Sequence, residues 1–297
     1  MAGWSLDGKV VLITGGAAGI GAATAQELAS RGARCVLADL DSDGLARTAS
    51  AIGGDPLTVE LDVTDLAACE RAVAAAVERH GGLDAVWANA GIASFGSVLL
   101  TDPEAWKRTI DVNVTGTFNT VRAALPPVLG RKGYVAVSAS VASFAHPPFM
   151  SAYTATKAGV EAFADALRNE VAHLGVDVAT IHPSWIATPM VGEGESEIDA
   201  FAHLKGSLSF PLSKTYPVER AAKDIAKDFE RRSRRICTPG WVRGLAIGRA
   251  ALTTRAAERD MRKVAPEVDR IFAEEVAREG AGGASASERV REQVPSA

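Results

Sequence analysis

Cysteine is scarce in this chain. Cys35, Cys69 and Cys237 are the only three in 297 residues, and they form no CxxC pair. So sparse and odd a set argues against a disulfide framework and against a zinc site; the thiols read as buried and inert, and no metal is expected. Basic charge is not in excess either. The formal net charge is −4, whereas a nucleic-acid binder shows a basic balance or stripe. No apolar run is long enough to cross a bilayer. The uncharged stretch 133–156 is interrupted by serines and by Pro147 and Pro148. The first residues, MAGWSLDGKVVLITGG, lack a basic region followed by a long apolar one, so no signal peptide is expected and a cytoplasmic protein is the default.

What is present is a globular composition, 47% hydrophobic and 23% charged, in a length that a single large α/β unit can reach. Short apolar runs alternate with helical periodicity. KVVLITGG reads as a strand, 22–31 as a helix stopped by Gly32, and ARCVLADLD as a second strand. Asp41 and Ser42 can cap the next helix and Gly53–Gly54 can end it. PLTVELDVTD, LDAVWANAG, YVAVSAS and VDVATIHPS read as further strands, separated by helices over 66–79, 104–129 and the segment holding Tyr153. Strands apolar on both faces between helices predict a doubly wound parallel sheet with helices on both sides, a Rossmann arrangement.

After Met190 the rhythm breaks. Residues 190–216 read as an irregular segment and a candidate substrate lid. VERAAKDIAKDFERR is amphipathic. Residues 231–255 carry seven arginines and no acid. Trp241, Leu245 and Ile247 alternate with arginines there, which would suit a membrane surface, although cover for the pocket or subunit docking fits equally. The expected organisation is a dehydrogenase-type domain over 1–250 and a helical extension over 251–297, with a disordered Gly/Ser/Ala-rich end.

TGGAAGIG, residues 14–21, lies between a strand and a helix. In that place Gly15 permits a sharp turn, Gly19 a close approach by a pyrophosphate, and Gly21 tight packing of the helix, with Ile20 between them. Asp39 ends the next strand at the distance suited to an adenosine ribose. Its charge would repel a 2′-phosphate, and its neighbours Ala18 and Leu40 are neutral, so NAD is favoured over NADP.

These motifs, taken in order, resemble those of the short-chain dehydrogenase/reductase family over residues 6–190. TGGAAGIG is similar to the family's TGxxxGxG turn. LDVTD resembles the segment whose acid, here Asp62 with Val63, meets the adenine. NAG, Asn89–Ala90–Gly91, resembles the motif closing the fourth strand. Asn113 in DVNVTG matches the active-site asparagine. Ser140 stands thirteen residues before Tyr153, and Tyr153-Thr-Ala-Thr-Lys157 matches YxxxK. Two departures are visible: Pro183–Ser184 replaces Pro-Gly, and SAS replaces SS, so Ser138 competes with Ser140, which the spacing favours.

The resemblance implies hydride transfer between a secondary alcohol or ketone and a nicotinamide. Tyr153 would be the acid/base, with its pKa lowered by Lys157, which also holds the nicotinamide ribose. Ser140 would orient the substrate oxygen, and Asn113 would anchor a proton relay. Pro183, Ile186 and Thr188 would flank the nicotinamide; Thr188 also fits a helix cap. Ser94, Phe95, residues 142–149 including Phe149, then Trp185, Met190 and the lid would line the pocket, suggesting a lipophilic or aromatic substrate. His146 reads as loop surface and His182 as a strand end. Many family members are dimers or tetramers through helices matching 114–129 and 151–174, so homo-oligomerisation is expected. A non-redox epimerase or dehydratase relative, or a cofactor-binding regulatory protein, remains the alternative.

Overall fold

The computed structural model describes residues 4–292. The elements run β1 (Val10–Thr14), α1 (Gly19–Ser30), β2 (Arg34–Asp39), α2 (Ser42–Ile52), β3 (Leu57–Glu60), α3 (Leu66–His80) and β4 (Ala85–Ala88). They continue through α4 (Pro103–Ile110), α5 (Gly116–Gly130), β5 (Tyr134–Ser138), α6 (Ser151–Val171), β6 (Asp177–Pro183), α7 (Pro189–Glu197) and α8 (Asp199–Gly206). The last are α9 (Val218–Phe229), β7 (Arg235–Thr238), α10 (Val242–Ile247), α11 (Arg259–Ser285) and α12 (Glu288–Glu292). All seven strands are parallel, in the order β3-β2-β1-β4-β5-β6-β7. The order reverses between β1 and β4, and loops at the carboxyl ends of strands part there to leave a crevice.

Alternate residues of each strand feed two cores. Val10, Leu12, Val135 and Val137 pack with α3, α5 and α6 on one face. Val11, Ile13, Trp87 and Tyr134 pack with α1 and α9 on the other. Both faces of the sheet are dry except at the edge strand β3, where Thr58 and Glu60 are exposed, which is why the inner strands read as unbroken apolar runs. Phe229 of α9 meets Tyr134 edge-on at 5.1 Å and Trp87 at 6.0 Å.

Three expectations need correction. Residues 190–216 are largely helical: Thr188 caps α7, accepting from the Val191 N–H at 3.5 Å, and Pro189 takes its first position. Glycines and acids hide the helical period because α7 is stabilised from outside. Next, the stretch after Arg278 is mostly helical to Glu292, with a break at Gly280, where φ is 79°, and a second at Ala286–Ser287. Ala284, Ser285 and Ala286 are buried there, while 293–297 lie outside the described residues. Finally, the arginine-rich segment holds the unforeseen strand β7, four residues long and too short to show a period. Trp241 and Leu245 pack inward, and Trp241 Nε1 donates to the Tyr216 hydroxyl at 3.0 Å; Ile247 is 81% exposed. No described helix is long and apolar enough to cross a membrane.

A third core covers the carboxyl edge of the sheet. Phe95 stands at its centre, edge-on to Phe201 of α8 at 5.6 Å and to Phe272 of α11 at 6.0 Å. Glu275 of α11 is buried and accepts the Asp199 N–H at 2.5 Å and the Ala200 N–H at 3.4 Å, so α11 caps α8. Ser285 O accepts the Phe95 N–H at 2.9 Å. Replacing Phe272 by Ala removes a fully buried ring and is expected to cost about 3–5 kcal/mol. Urea unfolding of the full chain measures it, and loosening of the 190–216 segment is expected to raise its protease sensitivity.

Candidate active site

Asn89 fixes the floor of the crevice. Its Nδ2 donates to Thr14 O at 3.0 Å and Gly15 O at 3.2 Å, and its Oδ1 accepts the Ser138 hydroxyl at 3.0 Å. Thr14 Oγ1 accepts the Asn89 and Ala90 N–H groups at 3.0 and 3.2 Å. The ends of β1, β4 and β5 are thereby tied together. Ser138 also accepts Trp87 Nε1 at 2.9 Å, so its hydroxyl is committed to this tie.

The glycine turn sits beside it. Gly15 has φ 69°, a left-handed value. A Cβ on Gly21 would fall 2.1 Å from Gly15 O, so only glycine lets α1 begin this close to the turn. Ala18 precedes α1 and has no polar side chain to cap it, so the first-turn N–H groups are offered to the crevice. Asp39 Oδ2 accepts the Ala17 N–H at 3.1 Å and Oδ1 the Asp41 N–H at 3.2 Å. Four lone-pair sites leave this carboxylate able to accept further hydrogen bonds. Asp62 Oδ1 accepts both Thr64 N–H and hydroxyl at 2.8 Å. Gly15, Gly19, Ile20, Gly21, Asp39, Asp62, Val63, Asn89, Ala90, Gly91, Pro183 and Thr188 all face one cleft of about 200 Å³, with Tyr153 and Lys157 at its end. Arg108 of α4 also lines it, a residue no motif signalled. At Gly91 a Cβ would come within 3.1 Å of Asn113 Oδ1 and 3.3 Å of Lys157 Nζ, so the missing side chain keeps that floor open. An uncapped helix start, an acid at the second strand and an open floor fit a dinucleotide.

A second cavity, about 430 Å³, adjoins the first. Phe95, Met150, Trp185, Met190, Phe201 and Met261 are among its walls, and Ser140 and Tyr153 lie at its inner end. Tyr153 lines both spaces. Ile186 is buried in the wall of this second cavity. Phe149 is not among the lining residues. Its φ of 65° turns the chain, and its ring stacks on Phe95 at 6.0 Å, behind the wall that Met150 forms. Ser184, where the family has glycine, lines the cavity, and its buried hydroxyl has no partner among the described residues.

Asn113 sits in a π-turn, 111–115, between α4 and α5. Its Oδ1 accepts the Ile92 N–H at 2.9 Å, and its Nδ2 donates to Ile92 O at 2.9 Å and Thr156 Oγ1 at 3.0 Å. Ser140 begins a tight turn in which its hydroxyl accepts the Ala142 N–H at 3.1 Å. His182 is fully buried behind it. Its Nδ1 meets Ser140 O at 3.1 Å and Nε2 meets Thr180 Oγ1 at 2.9 Å, which assigns the proton to Nδ1. Burial lowers the pKa of this imidazole, keeping it neutral. A strand-end histidine is thus a prop for the serine turn. His146 is exposed at the rim of the apolar cavity. On α6 one face carries Tyr153, Lys157 and Glu161. Buried Glu161 accepts Arg235 at 3.0 Å and Arg249 at 2.8 Å, so two of the segment's arginines have a structural role.

The electrostatics correct one expectation. Desolvation pushes the Tyr153 phenol above its ordinary value, and a hydrogen bond with the Ser140 hydroxyl opposes that rise. Lys157 stands beside it on the same helix. Its Nζ donates to Ser138 O at 2.8 Å and lies 5.5 Å from the Tyr153 ring centre. Burial itself pushes the Lys157 ammonium down to about 8 from 10.5. Between those values the unfolded chain binds the proton that the folded chain has released, so this group makes stability rise with pH across that window. Lys157→Met is expected to melt several degrees higher than the parent protein at pH 7. The gap should narrow as pH rises from 8 to 10 in thermal melts of the two proteins.

The short chain dehydrogenase family model matches residues 9–199. A 2,5-dichloro-2,5-cyclohexadiene-1,4-diol dehydrogenase of Sphingobium indicum is 40% identical over 190 residues, covering 62% of this chain and 76% of that protein. A trans-4-hydroxycyclohexanecarboxylate dehydrogenase of Sinomonas cyclohexanicum is 40% identical over 191 residues, 61% of this chain and 74% of that protein. The crystal structure of a short chain dehydrogenase/reductase from Burkholderia phymatum in complex with NAD superposes with a TM-score of 0.73 at 26% identity, covering 87% of this chain and 96% of that one. The sheet order, the glycine turn and a family match over more than half of the sequence lead to one conclusion: this chain belongs to the short-chain dehydrogenase family of oxidoreductases.

Proposed function

We propose that the protein is an NAD-dependent dehydrogenase acting reversibly on an apolar, ring-containing secondary alcohol. The observation that carries this reading is the position of Tyr153 at the junction of the nucleotide-shaped cleft and the apolar cavity. A substrate oxygen placed between Tyr153 and Ser140 has its carbon facing the cleft. The size and walls of the cavity suit a cyclic or aromatic skeleton better than a sugar. Both relatives named above are, by their names, dehydrogenases of six-membered-ring alcohols or their acids.

A bound nicotinamide supplies the hydride acceptor and, when oxidised, a positive charge that favours the phenolate. The chain's own residues do the rest. Ser140, propped by His182, orients the substrate oxygen. Tyr153 removes its proton in the oxidative direction and returns one in the reductive direction. Lys157, whose ammonium has donors beyond the one given to Ser138 O, would hold the cofactor ribose. Asn113, locked by Ile92, keeps the backbone beside Lys157 in place for a proton path to solvent. Residues 190–216 act as a lid over the apolar cavity within a 1–250 catalytic unit, and the described part of the 251–297 extension forms its cover. The exposed Phe118, which meets Phe163 at 6.4 Å between α5 and α6, suits self-association into a dimer or tetramer.

Tyr153→Phe is expected to lower turnover by about 10²–10⁴-fold while leaving NADH binding intact. NADH formation over a panel of cyclic and aromatic secondary alcohols, beside fluorescence titration of NADH, measures both; undiminished turnover in the variant would remove the mechanism. Asp39→Ala is expected to shrink the preference for NAD over NADP by about tenfold, the loss of roughly 1.4 kcal/mol of discrimination. Steady-state kinetics with each cofactor read this, and equal use of the two by the parent protein would contradict the role given to Asp39.

A further inference from the structure

The helical cover reaches into the cofactor cleft. Among the described residues lining that cleft, the cations are Arg108, Lys157 and Arg289. Lys157 stands beside Tyr153. Arg108 lies under the influence of Asp62 and Asp111, at the adenine end. Arg289 comes from α12, in the segment after Ala256 to which no family motif extends. With Val290 it lines the same cleft as Thr188, Pro189 and Met190. Thr188 and Pro189, at the start of α7, lie against the glycine turn, since a Cβ on Gly19 would meet Thr188 Cγ2 at 3.2 Å and Pro189 Cδ at 3.9 Å.

Arg289 is anchored on the side of the cleft formed by α7. Its Nε donates to Glu193 Oε1 and Oε2 at 2.9 and 3.0 Å. Ser287 donates its hydroxyl to the same carboxylate at 3.2 Å, and the Glu288 N–H donates to Glu197 Oε2 at 2.7 Å. Glu193 thus places a negative charge near a turn whose own residues, 14–21, contain no cation. The turn offers an anion only backbone N–H groups and the partial charge of a helix end, about +0.5. A guanidinium has five donors in a planar fork, and the Nε contact uses one of them. It can hold a carboxylate on one edge and phosphate oxygens on another.

We propose that Arg289 is a ligand for the cofactor's diphosphate, delivered to the glycine turn by the C-terminal extension. The inference rests on the nucleotide reading of the cleft. In this arrangement the arginine screens the diphosphate from Glu193 and joins α12, α7 and the nucleotide in one charge-assisted set of hydrogen bonds. The extension thereby has a part in cofactor affinity as well as in covering the apolar cavity.

Calorimetric titration of the full chain with ADP-ribose, and fluorescence titration with NADH, test it without turnover. Arg289→Ala is expected to raise both dissociation constants about tenfold or more, and Arg289→Lys to fall between the variant and the parent. Glu193→Gln breaks the same ion pair but leaves the cation, and is expected to bind ADP-ribose at least as tightly as the parent. Unchanged affinity in Arg289→Ala would overturn the proposal. So would equal weakening by Arg289→Ala and Glu193→Gln, which would make the pair a strap for α7 only. A parent protein that fails to bind ADP-ribose at all would instead defeat the nucleotide reading, and this proposal with it.

Discussion

The catalytic face depends on one side-chain amide. Asn89 joins the carboxyl ends of β1, β4 and β5, and its donors and acceptor are used on backbone and on Ser138. A parallel sheet leaves such strand ends without further ladder partners, and burying those carbonyls unpaired would be costly. Asn89 satisfies them, and it does so where the strand order reverses. The glycine turn, the Ser140 turn and the open floor at Gly91 all branch from this tie. The family resemblance points to NAG as a motif; the hydrogen bonds give the physical reason for its first residue.

Much of this was legible because it is local. A strand followed by TGGAAGIG and a helix, or a Tyr and Lys four apart on one helix, needs only neighbouring residues to be recognised. What escaped the sequence depends on partners far along the chain. His182 supports Ser140 from another strand, Glu275 caps a helix that starts at Asp199, and Arg289 meets Glu193 nearly a hundred residues earlier. No periodicity encodes such pairings. The 190–216 segment illustrates the point most directly: α7 contains two internal glycines poor at sustaining helix alone, and α11 supplies a cap to α8 while α12 supplies an ion pair to α7. Phe149 is a different case: its ring stacks on Phe95, a contact that no local pattern in the sequence announces.

Lys157 shows stability and chemistry opposed at one residue. A buried ammonium with a lowered pKa destabilises the fold at neutral pH, and its bond to Ser138 O offsets part of that cost. Apolar residues would pack there more favourably. The charge stands beside the Tyr153 ring, where the function proposed above has a use for it.

Helix α6 carries Tyr153, Lys157 and Glu161 at four-residue intervals, and each engages a different part of the molecule: the cavity junction, the end of β5, and the arginines of the β7 region. Their common face exists only because the helical count between them is fixed. A substitution at one of these positions removes one function and leaves the others in register. Gaining or losing a single residue between them would turn everything beyond it by about 100°. The phenol, the ammonium and the carboxylate would then no longer share one face. Along this rod, length is held more tightly than identity.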